Sequence, residues 1–559
     1  MSPAERHVFT IAAGIGFVDA LAARLLAETS GDPLALSGYR ILLPTRRACR
    51  ALQEAFLRMS PGGALLLPRL QPLGDVDADE ILLSGGEEIA GAEDGAGLEL
   101  PPALPPLRRQ LLLTRAILKA GHNFGERPPS IDQAARLAAE LAQLLDQMTT
   151  EGVGFEFLAD VAIEHAEHWQ RTVSFLEILS KVWPGMLAAE AALDTAERRN
   201  RLLAAEAERL RRQPPATPLI AAGSTGSIPA TAELLAAIAR LPNGRVVLPG
   251  LDRGVDEETW AAIEADPVHP QHGMALLLKR FGLAPAEVAE WPVTGFAAPP
   301  PSRARLIAEA LRPAETTARW RDFAESADVA RFELALANVE RVDCPTPQEE
   351  AQVIALRLRR ALEESGKRAV LVTPDRGLAR RVAGELRRWN IEIDDSAGQP
   401  LSLTPPAVFL RLCAAMIAEA GAPAALLALL KHPLAAMSEK PAVCRNLARR
   451  LERNLLRGPR PTAGLKSLAH ARGTDPDLKS FLGRLAAAAA TLADLAGRRR
   501  VAPGEILAAH IEFAETIAAS DSEAGAARLW SGEAGEAVAG FVAELGEALA
   551  DFPPIDGRR

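Results

Sequence analysis

Cysteine is scarce in this chain of 559 residues: Cys49, Cys344, Cys413 and Cys444 stand far apart, with no C-x-x-C pair among them. That spacing supports neither a zinc ribbon nor a disulfide framework, and it suits a reducing compartment. Aromatic residues make up only 4% of the chain, too few for base stacking along an extended nucleic-acid surface. A cationic excess is also lacking. The formal net charge of −9 excludes wholesale wrapping of nucleic acid but leaves room for a local basic groove. No apolar run approaches the roughly 18 residues of a membrane span. Met1 to Gly38 has no basic segment followed by a long apolar one. The expectation is a cytoplasmic protein with no membrane partner.

What is present is an ordinary globular composition, 48% hydrophobic and 24% charged, on a chain long enough for roughly two to four domains. Strand-then-helix alternation opens it. Val8 to Ala12 is a β-type run, Gly14 and Gly16 permit a tight turn, and Phe17 to Leu26 has helical spacing. Tyr39 to Leu43, the turn Pro44-Thr45-Arg46-Arg47 and the helix Ala48 to Met59 repeat the pattern, and Leu65 to Leu67 is read as a third strand. Alternation of this kind implies a parallel sheet. The pattern is helical from about 101 to 215, then returns to strands at Pro218 to Ala222 and Arg245 to Leu248. Residues 1–330 thus read as one α/β domain with a helical insertion. A second unit, 331–559, repeats strand, turn and helix over about 339–405 and continues as Ala-rich helices.

Gly14-Ile15-Gly16-Phe17-Val18-Asp19 stands where a phosphate loop would stand. A working loop needs G-x-x-x-x-G for backbone amides, then Lys for the β/γ-phosphates and Ser or Thr for magnesium. With Gly16 as the last glycine, Ile11 takes the first glycine's place, Phe17 the lysine's and Val18 the hydroxyl's. The turn reads as structural, and as a dinucleotide fingerprint it lacks its third glycine at Asp19. Thr373 ends the strand of the second unit, at Val370-Leu371-Val372-Thr373-Pro374. Other acidic and histidine groupings are weak. Asp252 and Asp256 flank Gly254, which breaks the strand a metal-binding pair would need. Asp75, Asp77, Asp79 and Glu80 read as a solvated loop or cap, and His165 with His168 supplies at most two metal ligands. No metal site and no catalytic constellation is expected.

Basic residues are better placed. Thr45, Arg46 and Arg47 lie after a strand and open a helix, where amide donors and guanidinium groups converge on phosphates. Arg69 is read as following the next strand in the same way. Arg445, Arg449 and Arg453 recur every four residues, with Arg450, Arg457 and Arg460 extending the face. Such a row suits a phosphate backbone, or else a solvated helix face with internal ion pairs. The candidate DNA contacts are Thr45, Arg46, Arg47, Arg69, Arg449 and Arg453.

The segment Lys367 to Pro405 resembles the start of the second RecA-like domain of superfamily 1 helicases, with Thr373 where those proteins carry a γ-phosphate arginine. The chain as a whole resembles the N-terminal half of the AddB family, in its alphaproteobacterial form. The specific segments are Ile220-Ala221-Ala222-Gly223-Ser224-Thr225-Gly226-Ser227-Ile228-Pro229-Ala230-Thr231 and Val247-Leu248-Pro249-Gly250-Leu251-Asp252, supported by Ile41 to Ala48 and Val370 to Arg376. The resemblance implies two RecA-like parallel-sheet domains with large helical insertions. It implies a degenerate nucleotide site at Gly14, Gly16, Phe17, Val18 and Thr373. Partners would be an AddA-like helicase-nuclease subunit, which would carry ATP and magnesium, together with single-stranded and double-stranded DNA. The implied role is scanning the departing strand during double-strand break repair by homologous recombination. The family's C-terminal nuclease domain is not visible, so a truncated product without activity of its own is expected. An active helicase and a scaffold that touches no DNA remain the competing readings.

Overall fold

The computed structural model describes residues 7–30, 32, 34–60, 64–73, 100–120, 129–154, 180–293, 295–296, 300–325, 332–457, 464–470 and 474–558. Apolar runs dominate the strands β1 (Val8–Ile11), β2 (Arg40–Leu43), β4 (Leu219–Ala222) and β5 (Gly244–Pro249), and the more polar β3 (Arg69–Pro72) and β6 (Ala289–Glu290) flank them. They make one parallel sheet in the order β3-β2-β4-β5-β1-β6. The architecture is α/β, with helix predominating.

Both faces of the sheet are covered, which is why its central strands are apolar at nearly every position instead of alternating with polar residues. Helices α1 (Phe17–Glu28) and α2 (Arg46–Met59) pack on one face, against Ile11, Ile41, Leu43, Ile220, Ala222 and Val247. The intervening residues Leu42, Leu219, Ala221, Val246 and Leu248 point the other way, onto α3 (Thr195–Arg212), α4 (Pro229–Ile238) and α5 (His272–Phe281). The period of two along each strand produces this division. α2 shows the matching helical logic. Its buried positions Cys49, Leu52 and Phe56 fall three and four apart, and Leu52 and Phe56 are fully buried, each contributing about 1.5–3 kcal/mol.

The third strand is not the expected Leu65 to Leu67. Leu65 and Leu67 lie half-buried beside the α1/α2 core with Leu66 exposed between them, and the ladder begins at Arg69, which aligns with Arg40. Sheet formation selected the segment whose backbone reaches β2, although Arg69-Leu70-Gln71-Pro72 has weak strand propensity.

The described residues fall into two compact units. One takes Met1–Leu104, Ala120–Arg127 and Ala139–Val339; the other takes Pro105–Lys119, Pro128–Ala138 and Glu340–Arg559. In the second, α6 (Pro347–Ala361) and α7 (Arg376–Arg387) pack through Ala351, Ala355, Leu378, Val382 and Leu386. Helices α8 (Pro405–Ala418), α9 (Pro441–Leu451), α10 (Pro476–Ala488), α11 (Pro503–Ala518) and α12 (Gly532–Leu549) enclose Phe409, Phe481 and Phe513. The helix Pro106–Lys119 joins them, Arg108 Nη1 donating to the Ala548 carbonyl at 3.2 Å.

A second parallel sheet over 339–405 is not formed among the described residues. Its helices are present, each begun by a local cap: Thr346 accepts from the Glu349 amide and Asp375 from the Gly377 amide. The β-type runs 369–372 and 391–393 have no ladder partner. Leu371 and Ile391 rest on the α6/α7 cluster, while Val370 and Val372 are 82% and 88% exposed. Helices close their hydrogen bonds locally, whereas a parallel strand needs a neighbour remote in sequence.

Candidate nucleic-acid interface

In a doubly covered parallel sheet, ligands bind beyond the carboxyl ends of strands whose following helices go to opposite faces. Here β2 leads into α2 on one face, and its neighbour β4 leads into α4 on the other. The crevice is bounded by Pro44-Thr45-Arg46 on one side and Gly223 to Ile228 on the other, with the β1–α1 turn beside them. Gly226 donates its amide to Ser224 Oγ at 3.3 Å, and α4 starts at Pro229 with no side-chain cap.

Phe17 occupies this crevice from within the protein. A methyl group placed on Gly223, where φ is 79°, would lie 3.3 Å from Phe17 Cε1 and 3.6 Å from Pro44 Cδ. Asp19, in the first turn of α1, is buried and bonds Arg58 Nη2 at 2.6 Å. One of its carboxylate oxygens lies 3.1 Å from the point where a Gly16 side chain would begin. An anion therefore already stands at the start of α1, stabilised by the helix dipole and a guanidinium. These residues do not fit a nucleotide's phosphates. Gly14 and Gly16 form the turn, Phe17 fills the space, Val18 joins the α1/α2 core, and the carboxylate beside Gly16 is that of Asp19, already paired with Arg58.

Thr45 caps α2, its Oγ1 accepting the Ala48 amide at 3.1 Å. The hydroxyl hydrogen stays available to donate to a phosphate oxygen. Arg46 and Arg47 follow it, exposed, in the first turn. Arg69 does not join them. It opens β3, aligned with Arg40 at the amino ends of the strands. Three residues of strand at about 3.3 Å each put it roughly 10 Å back from the carboxyl edge. Its expected place after a strand is corrected: Arg69 begins a strand and does not follow one.

In the second unit, Arg445 and Arg449 lie on the exposed side of α9, and Arg453 on the π-turn that continues it. Among the described residues no carboxylate engages these three. The wider basic face is largely neutralised: Arg450 is held by Asp475 at 2.7 Å and Asp477 at 3.2 Å, and Arg457 by Glu452 at 2.9 Å. Arg460 lies outside the described residues. Thr373 serves a turn, its hydroxyl accepting the Asp375 amide at 3.0 Å.

Asp252 caps the turn after β5 through the Gly254 amide, and Asp256 caps the helix Glu257–Ala265 through the Thr259 amide. Asp75, Asp77, Asp79, Glu80, His165 and His168 lie outside the described residues. Among the described residues, no group of three metal-ligating side chains gathers, and no helix is long and apolar enough to cross a membrane. Residue spacing singled out Thr45 to Arg47 but not Ser224 and Thr225, half-buried across the same crevice. Two glycines at φ 79° and 65° before a proline-started helix were the signal for that loop. No family model matches this chain, and no curated protein matches it.

Proposed function

We propose that this chain is an ATPase-inactive, AddB-like subunit that guides single-stranded DNA during double-strand break repair by homologous recombination. In this reading its two units correspond to two RecA-like motor domains that have lost the motor. An AddA-like partner supplies ATP-driven movement, and the complex works in the cytoplasm. One observation carries the reading: the first βα turn is filled by Phe17 and Asp19, while the neighbouring turn on the same sheet edge offers Thr45, Arg46 and Arg47 to solvent. An edge shaped for phosphates is thereby closed to a nucleotide and open to a backbone running past it.

The test is single-stranded DNA binding by the purified chain across a salt series, with and without a co-purified AddA-like subunit. Replacing Arg46 and Arg47 by Ala removes two phosphate contacts, and the slope of log affinity against log salt falls by about 1.4. Unchanged affinity and slope would leave the chain a scaffold. DNA-stimulated ATP hydrolysis by the chain alone would make it a motor.

A further inference from the structure

A second recess lies at the opposite, amino edge of the first unit's sheet, remote from the strand ends just described. It is about 330 Å³ in volume and is formed where the last turns of α1 meet the starts of β1 and β5 and the residues after β6. Phe9 and Trp291 form one wall, their rings edge-to-face at 5.2 Å and 83°, and three prolines, which bring no amide hydrogen, complete the apolar lining. The volume is at the lower end of the range for small-molecule sites.

The polar side of this recess is unbalanced. Among the described residues, Glu28 is the one carboxylate that lines it, and two guanidinium groups share it. Arg24 Nε donates at 2.9 Å, and Arg245 Nη1 donates to both oxygens at 3.0 and 2.8 Å. Among these described groups one positive charge remains over. Both Nη atoms of Arg24, and Nε and Nη2 of Arg245, have no acceptor among the described residues. Trp291 is 3% exposed, and its ring backs the recess as part of the core. The guanidinium excess calls for an anion, and the aromatic wall for a flat apolar body.

We propose that this cavity binds a compact organic anion carried on a flat ring, an aryl carboxylate or a ring-bearing phosphate ester. Its oxygens take hydrogen bonds from Arg24 and Arg245, and its ring lies against Phe9, Trp291 and the prolines. The ligand is either a free aryl carboxylate or the 5′-phosphorylated nucleoside of a nucleic-acid end.

Isothermal titration of the full chain decides the matter, with benzoate and deoxyadenosine 5′-monophosphate as probes. Benzamide is the neutral control and acetate the ringless one. At least one of the two probes binds at one site per chain, and each control binds at least about tenfold more weakly, a difference of about 1.4 kcal/mol. Benzoate alone identifies the free carboxylate, and the nucleotide alone identifies the strand end. Arg24→Gln lowers affinity by about tenfold, the loss of one charge-assisted hydrogen bond, with the circular dichroism spectrum unchanged. Should Arg24→Gln fail to fold, Arg24→Lys retains the charge without the planar fork and binds more weakly than the parent chain. The proposal is overturned if neither probe binds at about 10 mM, well beyond an ordinary weak site. It is equally overturned if a control equals its probe, or if the folded Arg24 variant binds like the parent.

Discussion

Gly223→Ala tests whether Phe17 fills the nucleotide crevice. The backbone there has φ 79°, a left-handed conformation that costs an alanine about 1–2 kcal/mol. The added methyl would also meet Phe17 Cε1 at 3.3 Å and Pro44 Cδ at 3.6 Å, so ring or loop must give way, raising the expected loss to about 2–3 kcal/mol. In a Phe17→Ala background the closest contact is gone, and the same substitution costs only the conformational part. The cycle therefore shows a coupling of about 1 kcal/mol, in the range of neighbouring side chains. Unfolding of a chain with two units does not follow a two-state curve, so the readout is native-state hydrogen exchange at the amides of β4, which reports the first unit alone. ATP affinity is measured on the same four proteins. Phe17→Ala leaves ATP unbound, because the Asp19 carboxylate and its Arg58 partner still stand at the start of α1 and no lysine follows. Equal costs in both backgrounds would refute the packing. Micromolar ATP binding by Phe17→Ala would refute the argument that the turn lacks the groups a phosphate needs.

In the second unit, Arg445→Ala and Arg449→Ala each lower the salt slope of single-stranded DNA binding by about 0.7; Arg450→Ala and Arg457→Ala, already engaged by carboxylates, leave it unchanged. Four equal slopes would mark the row as a solvated face. Val372→Lys changes stability by less than about 0.5 kcal/mol because its side chain has little burial to lose, whereas Leu386→Ala in the α6/α7 cluster costs about 2–5 kcal/mol; a large loss at Val372 would show that the run 369–372 is covered in solution. Burial pushes the His510 imidazole below its ordinary value of 6.5, with Nε2 on the Leu410 carbonyl at 2.8 Å. The unfolded chain then binds the proton more readily, so this contribution to stability is complete above pH 6.5 and lost as pH falls below it through the folded value. Thermal midpoints taken from neutral pH downward decline less steeply in His510→Gln, and identical profiles would dismiss the linkage.

The first unit's sheet was legible because its signal is local and repeated. Val8 to Ile11, Tyr39 to Leu43, Pro218 to Ala222 and Arg245 to Leu248 are apolar runs bounded by glycine or proline, and each is followed by residues at helical spacing. That combination specifies strand, turn and helix without knowledge of what pairs with what. The edge strands escaped it. Arg69-Leu70-Gln71-Pro72 and Ala289-Glu290 are strands only because β2 and β1 offer them a ladder, and such an offer has no trace in their own composition. The run 369–372 is the converse case. Its β-branched residues have strong strand propensity, but propensity supplies no neighbour, and the run has no ladder.

The site divides in the same manner. Which residues cannot bind a phosphate follows from side-chain chemistry alone, so Phe17 and Val18 could be judged from the sequence. Where a cation points depends on which end of a strand holds it. Arg46 and Arg69 stand in similar contexts along the chain, yet lie at opposite edges of the sheet because one follows its strand and the other begins it. Charge balance is more remote still from sequence. Arg449 and Arg450 are adjacent, and only the approach of Asp475 and Asp477 on a different helix takes Arg450 out of the basic face. Glu28, Arg24 and Arg245 likewise acquire their surplus charge only when the end of α1 meets the start of β5. A cationic surface is therefore fixed less by the number of arginines than by the placement of carboxylates, and the residues to mutate first are the arginines whose carboxylates are missing.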